Sequence, residues 1–376
     1  MARKGENIYK RNDGRYEGRF IKGYTENGKP HFGYVYGKTY AEVKKKLTDR
    51  KAGIVKPAEK PEKEILFRDI VYEWMCAAKI RTKESTYARY VALIEAHVLP
   101  SLGAKSLEQI SVSCIEEYID SLLRIGRLDK AGGLSSKTVS DILVIIKSIL
   151  THADDNGHVV KGNFSRVSVK RKEPEIHVLS DADQTKLIEY LLADTDLYKL
   201  GILICLFTGM RLGEICALKW NDVDLSLKII HVRRTMQRIK NVDEYEKKQK
   251  TKIVETEPKS QKSSRDIPIP DCLYTLLIHF KTNGTCYCLT GSAETFVEPR
   301  KLQYHFTKII RDCGLQKINY HALRHTFATK CIELGFETKS LSEILGHSNV
   351  NITLNRYVHS SFELKRANMN LLSFQK

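Results

Sequence analysis

Five short segments near the carboxyl end of the chain contain the side-chain types needed to break a phosphodiester bond. The segments are TGMRLGE, EPKSQKSSRDIPI, HALRHTFAT, LGHS and NRYVH, and the candidate catalytic residues in them are Arg211, Lys259, His321, Arg324, His347 and Tyr357. A tyrosine can supply a nucleophilic oxygen, a lysine can donate a proton, and arginines can surround a phosphate with positive charge. This combination suffices for transesterification of a nucleic-acid strand without a metal ion.

The two arginines are predicted to hold the non-bridging phosphate oxygens, where negative charge builds in the five-coordinate transition state. A guanidinium suits this task because it stays protonated and donates two parallel hydrogen bonds. Arg211 follows a Thr-Gly turn and opens an amphipathic helix, so we expect it beside the backbone N–H groups of a helix start. Glu214, one turn further, either holds Arg211 in an ion pair or is a simple acid of the first turn.

Proton transfer is assigned to the lysine and the histidines. His321 and Arg324 are three residues apart and are therefore expected on one helix face, whereas the adjacent His325 is expected to point elsewhere. Lys259 lies in a predicted turn between two strands, where its ammonium can reach and protonate a leaving 5′ oxygen. Lys262 is the alternative for this role.

Tyr357 is the predicted nucleophile because of its position ten residues after His347, since the chain has 18 tyrosines and the residue type alone means little. The pKa of a phenol is about 10, so a nearby histidine and the cationic cage must help it to lose its proton. The product is a 3′-phosphotyrosine and a free 5′ hydroxyl. Because the bond energy is retained, the hydroxyl of a second strand can reverse the step without ATP.

Composition is consistent with a nucleic-acid partner. The chain has 376 residues and a formal net charge of +17, which is typical of proteins that meet a polyanion, with nucleic acid ahead of acidic lipid. A basic surface without such a partner is the alternative. Hydrophobic residues make up 42% of the chain, which excludes extensive disorder. The start MARKGENIYKRNDGR is too polar for a signal peptide, and no apolar run approaches the roughly 20 residues of a membrane span, so we expect a cytoplasmic protein without a membrane partner.

The cysteine pattern does not favour a metal site. Nine cysteines are present, and Cys286 and Cys288 form the only close pair. A single C-x-C without flanking histidines is weak evidence for zinc. The sequence therefore predicts reduced, mostly buried thiols, with no metal and no other cofactor.

Residues 1–55 are predicted to form a small three-stranded sheet with one helix. Aromatic and β-branched residues recur in IYKRNDGRYEGRF and HFGYVYG between Gly-containing turns, and the helical segment TYAEVKKKL follows. Here 14 Lys and Arg residues stand against 6 Asp and Glu residues, a net charge of +8. The sheet face is predicted to contact DNA, the alternative being a solvated basic face, and the candidate contact residues are Tyr9, Arg11, Arg15 and Arg19.

A charged, Pro-containing linker at 56–64 precedes a predicted four-helix domain at 65–165. Ser113 and Glu116 are predicted to form a capping box at the start of its third helix. Four basic residues fall off the apolar stripes and face either DNA or solvent: Lys83, Arg89, Lys137 and Lys147.

A second basic linker at 166–177 contains Lys170, Arg171 and Lys172, which are further candidates for DNA contact, and the last domain spans 178–376. Helical patterns dominate this domain, but IIHVRRT and TKIVETE alternate like a hairpin that RDIPIP continues as a third strand. The intervening QRIKNVDEYEKKQK is predicted to be a charged loop, near DNA or simply in solvent. The expected fold is thus multidomain and mainly α, with a sheet-and-helix first domain, a four-helix second domain and a mixed α-helical third domain carrying a small antiparallel sheet.

Taken together, the boxes resemble those of the tyrosine recombinases, the lambda-type integrases of phages and conjugative transposons. TGMRLGE resembles the first arginine box, HALRHTFAT the His-x-x-Arg box, and LGHSNVNITLNRYVH the His-to-Tyr box. The resemblance implies a site-specific recombinase that integrates and excises a mobile element through a 3′-phosphotyrosine. The active-site residues that it implies are Arg211, Lys259, His321, Arg324, His347 and Tyr357. By shape and charge, the helical domain resembles a core-site binding domain and the basic sheet an arm-site binding domain.

The same resemblance implies partners: double-stranded DNA with core and arm sites, a homotetramer that passes through a Holliday junction, and an accessory DNA-bending or excision factor. The tail FELKRANMNLLSF could dock on a neighbouring protomer or on its own domain. Two alternatives stay open, namely a type IB topoisomerase-like nicking and closing enzyme and a DNA-binding regulator without catalysis. The separate basic amino-terminal domain favours the integrase, because a relaxing enzyme has no distant sites to hold.

Overall fold

The computed structural model describes residues 7–25, 29–51, 64–129, 131–170, 177–242, 249–257, 263–357, 366 and 369–370. The chain divides into two compact units, Met1–Leu66 and Phe67–Lys376. Both the helical content and the small antiparallel sheets agree with the predicted fold class. No helix in the described ranges has the length and apolarity to cross a bilayer.

The first unit is an antiparallel sheet with a helix on one face. Its strands, in sheet order, are β1 (Ile8–Lys10), β2 (Tyr16–Tyr24) and β3 (Pro30–Gly37), and the helix is α1 (Tyr40–Lys51). Ile8, Val43 and Leu47 form its small core. Gly18 lets the helix approach, because a Cβ there would lie 2.7 Å from both Val43 and Leu47. The predicted arrangement is therefore confirmed, although the second turn signal, Asn27-Gly28, lies outside the described residues.

The second unit begins with a helical region. Its helices are α2 (Phe67–Arg81), α3 (Glu84–Leu93), α4 (Leu99–Leu102), α5 (Val112–Ile125) and α6 (Ser136–Asp155), and a π turn (Ile94–Val98) joins α3 to α4. The predicted apolar stripes form the core, in which Ile70, Ile115 and Ile146 are fully buried. The predicted capping box is wrong: α5 begins two residues earlier, and the Ser111 hydroxyl accepts from the Cys114 amide at 3.2 Å.

The carboxyl-terminal region packs its helices around a buried one. These helices are α7 (Asp181–Ala193), α8 (Leu197–Thr208), α9 (Leu212–Cys216), α10 (Asp271–Phe280), α11 (Pro299–Asp312), α12 (His321–Glu333), α13 (Thr338–Leu345) and α14 (Val350–Tyr357). Helix α8 is apolar on nearly every side and lies against α7, α9, α10, α11 and α12. It therefore fixes the elements that carry the candidate site. After residue 357, the described residues are 366, 369 and 370, so the predicted docking of the tail lies outside the described residues.

The strands of this region pair differently from the prediction. One sheet has the order β4 (Val223–Asp224), β5 (Ile229–Val232), β8 (Arg265–Pro268), and a separate hairpin pairs β6 (Thr235–Lys240) with β7 (Thr251–Thr256). IIHV thus pairs with RDIP, and TKIVET pairs with TMQRIK. The QRIK part of the predicted loop is strand because Met236 and Ile239 are buried between polar neighbours. Residues 243–248 of that segment lie outside the described residues.

Candidate active site

The end of α8 positions the first arginine. Gly209 terminates that helix in the left-handed conformation, with φ +64°, and Arg211 is the N-cap residue of α9. A Cβ on Gly209 would lie 2.5 Å from the Phe327 ring of α12, so glycine satisfies both the backbone angle and the close contact. The predicted helix start after Arg211 is confirmed.

Arg211 and Arg324 meet at the carboxyl end of α13. Arg324 donates from Nη1 to the Gly209 carbonyl and from Nη2 to the Leu345 carbonyl, each at 2.7 Å. Arg211 donates from Nη2 to the Gly346 carbonyl at 2.9 Å. Arg324 is only 2% exposed, whereas the Arg211 side chain keeps 35% of its surface in solvent. Arg324 is thus a fixed inner cation and Arg211 an outer one.

Glu214 neutralises part of this charge. Its Oε1 accepts from Arg211 Nη1 at 2.7 Å, and its two oxygens accept from Arg265 at 2.9 and 3.1 Å. Burial alone would raise the pKa of Glu214, but the hydrogen bonds and charges of Arg265 and Arg211 outweigh it and hold the pKa below its usual range. Of the two alternatives for Glu214, the structure has the ion pair.

Arg265 is a component of the site that the sequence analysis missed. It is 8% exposed, makes a bidentate contact with Glu214 and donates from Nε to the Ile344 carbonyl of α13. A signal was present in the sequence, because the period of two along β8 places Arg265 on the same inward face as Ile267. Arg265 therefore braces the carboxylate that holds Arg211.

The predicted nucleophile lies in contact with a histidine that was assigned no role. Tyr357, the last residue of α14, is 5% exposed, and its hydroxyl oxygen is 2.7 Å from His325 Nδ1. The expectation that His325 points elsewhere is wrong. His325 is four residues, about one helical turn, from His321, so the two share a face and their rings lie 4.6 Å apart.

All three histidines have lowered pKa values. Burial, followed by the charges of neighbouring arginines, lowers the pKa of His325 to about 4 and that of His347 to about 3. The His321 side chain keeps exposed surface, but partial desolvation and its neighbours, first His325 and then Arg324, lower its pKa in the same direction. The imidazoles are therefore neutral near pH 7 and can accept protons.

The remaining contacts place His347 and Tyr357 with the arginines. His347 Nδ1 is hydrogen-bonded to the fully buried hydroxyl of Thr353 at 2.8 Å. Burial raises the pKa of Tyr357, while the charges of Arg324, Arg356 and Arg211 act against this increase. Thr353 and Arg356 were not predicted. The structure thus brings together all predicted catalytic positions except Lys259, which lies outside the described residues, as does its alternative Lys262.

The predicted basic residues of the first unit lie on the open face and rim of its sheet. Tyr9 is 56% exposed and Tyr34 51% exposed, and Arg19 lies 4.3 Å over the ring of Phe32. Arg11 pairs with Glu17 at 2.6 Å and Arg15 with Asp13 at 2.8 Å. The face therefore combines exposed aromatic rings with partly compensated positive charge.

The predicted basic residues of the helical region have different surroundings. Lys83 and Arg89 line a cleft of about 540 Å³ between α3 and the hairpin, in which Arg89 pairs with Asp141. Lys137 pairs with the same carboxylate at 2.8 Å. Lys147 donates to the carbonyls of Ser165 and Val167 at 3.1 and 2.7 Å and so braces the segment after α6.

In the basic linker, Lys170 is exposed, and Arg171 and Lys172 lie outside the described residues. Over the described ranges, no group of three or more His, Cys, Asp or Glu side chains is arranged to hold a metal ion.

Two family models match the chain: phage integrase family over residues 177–363, and the N-terminal SAM-like domain of phage integrases over residues 66–123. A tyrosine recombinase XerC-like protein of Caldanaerobacter subterraneus subsp. tengcongensis is 28% identical over 362 residues, which cover 90% of each protein.

Solved structures with the same fold include two integrases. The integrase of transposon Tn1549 in complex with transposon right end DNA is 21% identical, with a TM-score of 0.67 over 82% of this chain and 99% of that chain. A lambda integrase tetramer bound to a Holliday junction is 16% identical, with a TM-score of 0.59 over 95% of this chain and 98% of that chain.

Proposed function

Because the chain belongs to the phage integrase family of tyrosine recombinases, we propose that it cuts and rejoins DNA at specific sites to integrate and excise a mobile element. The observation that carries this proposal is the convergence of Tyr357, Arg211 and Arg324 within one protomer, although they come from α14, the start of α9 and α12. A nucleophile beside two guanidinium groups is the arrangement that phosphoryl transfer needs.

In the proposed reaction, Arg211 and Arg324 hold the non-bridging oxygens of the scissile phosphate. Each guanidinium has five N–H donors. The arginines can therefore bind a phosphate and still keep their hydrogen bonds to the carbonyls of residues 209, 345 and 346. The Tyr357 oxygen forms a bond to phosphorus as the 5′ oxygen leaves. Lys259 protonates that oxygen, while His321 and His347 donate hydrogen bonds to the phosphate oxygens. The next strand's 5′ hydroxyl reverses the step.

We assign the other regions by resemblance and charge. Residues 1–55 bind arm sites, with Tyr9, Arg11, Arg15 and Arg19 on the contacting side, and residues 65–165 bind core sites. Residues 56–64 and 166–177 are the linkers, and 178–376 is the catalytic domain. Lys83, Arg89, Lys137, Lys147, Lys170, Arg171 and Lys172 are the proposed DNA contacts of the middle of the chain. Strand exchange would require a homotetramer, as in the lambda structure, with an accessory bending or excision factor, in the cytoplasm.

Covalent trapping tests the proposal. The protein is incubated with fragmented DNA that contains the element and its target, the mixture is denatured, and DNA that stays attached is sequenced. We expect adducts at a small set of sites for the wild type and none for Tyr357→Phe, because the phenol is lost while the fold is kept. Tyr304→Phe, at a 71% exposed ring of α11, is the matched control and should behave as wild type. Adducts in Tyr357→Phe would mean that another tyrosine attacks.

The same experiment separates the alternatives. A regulator without catalysis forms no adduct, whereas a topoisomerase-like enzyme forms adducts at many positions. The latter would also relax a supercoiled plasmid without the recovered sites as fast as one that carries them. An integrase should favour the plasmid with sites.

A further inference from the structure

The proposed reaction assigns no role to the contact between His325 and Tyr357. We propose that His325 is the general base that removes the phenolic proton while Tyr357 attacks phosphorus. This inference rests on the proposed function and adds a catalytic residue to it. The group touches the reacting oxygen directly, at 2.7 Å from Nδ1 to Oη.

Geometry favours His325 over the other candidates. Arg356 also contacts the Tyr357 hydroxyl, but a guanidinium is always protonated and cannot accept a proton. His347 uses its Nδ1 in the bond to Thr353. His321 packs edge-on against His325 with ring centroids 4.6 Å apart, and within the described residues it forms no hydrogen bond with the Tyr357 hydroxyl. Within the described part of the chain, His325 is thus the neutral acceptor placed at the nucleophile.

The surroundings keep this imidazole ready to accept. The groups that face it are His321 and Arg324 on its own helix and Tyr357 and Arg356 on α14. Burial and the two arginines lower its pKa, so the Nδ1 lone pair is available at neutral pH when the ring carries its proton on Nε2. A bound phosphodiester adds negative charge, which favours the imidazolium at the moment it must form.

Transfer must be concerted with attack, because a neutral phenol is a much weaker acid than the imidazolium of His325. As the Oη–P bond forms, the phenolic oxygen loses electron density and its proton becomes acidic, so the transfer becomes favourable during the step. The O–H bond of Tyr357 breaks, the proton goes to Nδ1, the Oη–P bond forms and the P–O5′ bond breaks. The leaving 5′ oxygen takes its proton from the separate acid, Lys259 in the proposed function. On rejoining, Nδ1 returns the proton to the phenolate.

The test compares three variants of the full chain on a nicked suicide duplex. The duplex carries a cleavage site identified by sequencing the covalently trapped DNA. His325→Ala removes the base and the contact. His325→Asn keeps an acceptor near the position of Nδ1 but is not basic, so it separates proton removal from positioning. His305→Ala is the matched control, because His305 is also a half-buried, ring-stacked histidine of this region, at 3.8 Å from Tyr198.

We expect both His325 variants to form the adduct about a hundredfold more slowly than the wild type at pH 7. Their rates should rise about tenfold per pH unit from pH 7 to 9, as hydroxide replaces the missing base, while the wild-type rate stays nearly flat. A substrate with a 5′-bridging sulfur, whose leaving group needs no acid, should leave the defect unchanged and should rescue Lys259→Ala. DNA affinity and melting temperature, measured in parallel, report on folding.

Three results would overturn the inference: cleavage by His325→Asn at the wild-type rate, a loss that is equal at every pH, or rescue of His325→Ala by the sulfur substrate. If His325→Ala does not fold, the cleavage rate, the pH dependence and the response to the sulfur substrate are measured on His325→Asn alone. These three measurements then decide between the same outcomes. Failure of the wild type to form any adduct would instead reject the proposed function, so the two failures are distinguishable.

Discussion

Arginines surround Glu214 in the catalytic region and also cover the open sheet face of the first unit, but their environments are opposite. Around Glu214, Arg265 is 8% exposed and Arg324 is 2% exposed, and each is held by fixed acceptors. On the sheet, Arg11 and Arg15 pair with Glu17 and Asp13 at the surface. Buried charges depend on every partner, whereas exposed ones are largely solvated. The first arrangement suits fixed geometry at one phosphate, and the second suits adjustable contact with a polyanion.

The largest effect is expected from removing the buried carboxylate. Glu214→Gln leaves Arg211 and Arg265 beside Arg324 without a neutralising charge, and the free energy of unfolding should fall by about 3–5 kcal/mol. Chemical denaturation measures this loss. Asp266→Asn is the control, because Asp266 pairs with Arg233 at the surface and its loss should cost at most about 1 kcal/mol. Equal losses in the free energy of unfolding for the two variants would mean that the buried ion pairs of Glu214 stabilise the fold no more than a surface ion pair does.

The second effect is a dependence of stability on pH that the buried histidines should produce. The folded pKa values of His325 and His347 are about 4 and about 3, below the unfolded value of about 6.5. The unfolded chain therefore binds more protons between these values, so stability is full above pH 7 and is lost as the pH falls. The loss from pH 7 to pH 5 should reach at most about 2 kcal/mol for each histidine.

Melting curves from pH 7 to pH 5 check this. That window lies above the range in which Glu214, whose pKa is also lowered, begins to take up a proton. His321, His325 and His347 all have lowered pKa values, so His347→Asn should remove about a third of the loss that these three histidines cause. A melting temperature that is constant over the window would contradict the lowered values.

A third, smaller effect concerns Gly209, which lies two residues before Arg211 and whose carbonyl accepts a hydrogen bond from Arg324. Gly209→Ala must accept a positive φ and also displace Phe327, and Gly209 supplies the carbonyl bound by Arg324. We expect a loss of about 1–3 kcal/mol in the free energy of unfolding, with slower adduct formation. Gly335→Ala is the matched control, because its φ is +82° but a Cβ there would meet nothing within 4 Å. It should show the backbone strain alone and leave cleavage unchanged. Similar rates for the two variants would show that the contact with Phe327 does not position Arg324.

Local patterns predicted much of this molecule, and the failures have physical causes. The helix start after Arg211 and the sheet of the first unit follow from turn residues and from alternation along the chain. The strand pairing of the catalytic region could not be predicted in this way. It depends on the burial of Met236 and Ile239 in the folded protein, and the mostly polar sequence around these two residues gives no sign of that burial.

In the site, residue types identified the charged groups, but their partners required the fold. The bond between His325 and Tyr357 joins two helices, and only the packing of α14 on α12 fixes which histidine the phenol meets. The spacing of His321 and His325 was nevertheless a usable signal. Arg265 was similarly visible as an inward position of β8.

The smallest effect on stability, and the sharpest contrast with Glu214, is expected on the sheet face. Arg19 lies over Phe32 among exposed aromatic rings, so Arg19→Ala removes a cation without opening a core. If this face contacts phosphates, affinity for duplex DNA should weaken, and the slope of log affinity against log salt should fall by about one between 50 and 200 mM salt. Lys45→Ala, on the exposed side of α1, is the control for net charge alone. An equal change for the two variants would show that DNA responds to the total charge of the unit, and the sheet would then be no more than a basic surface.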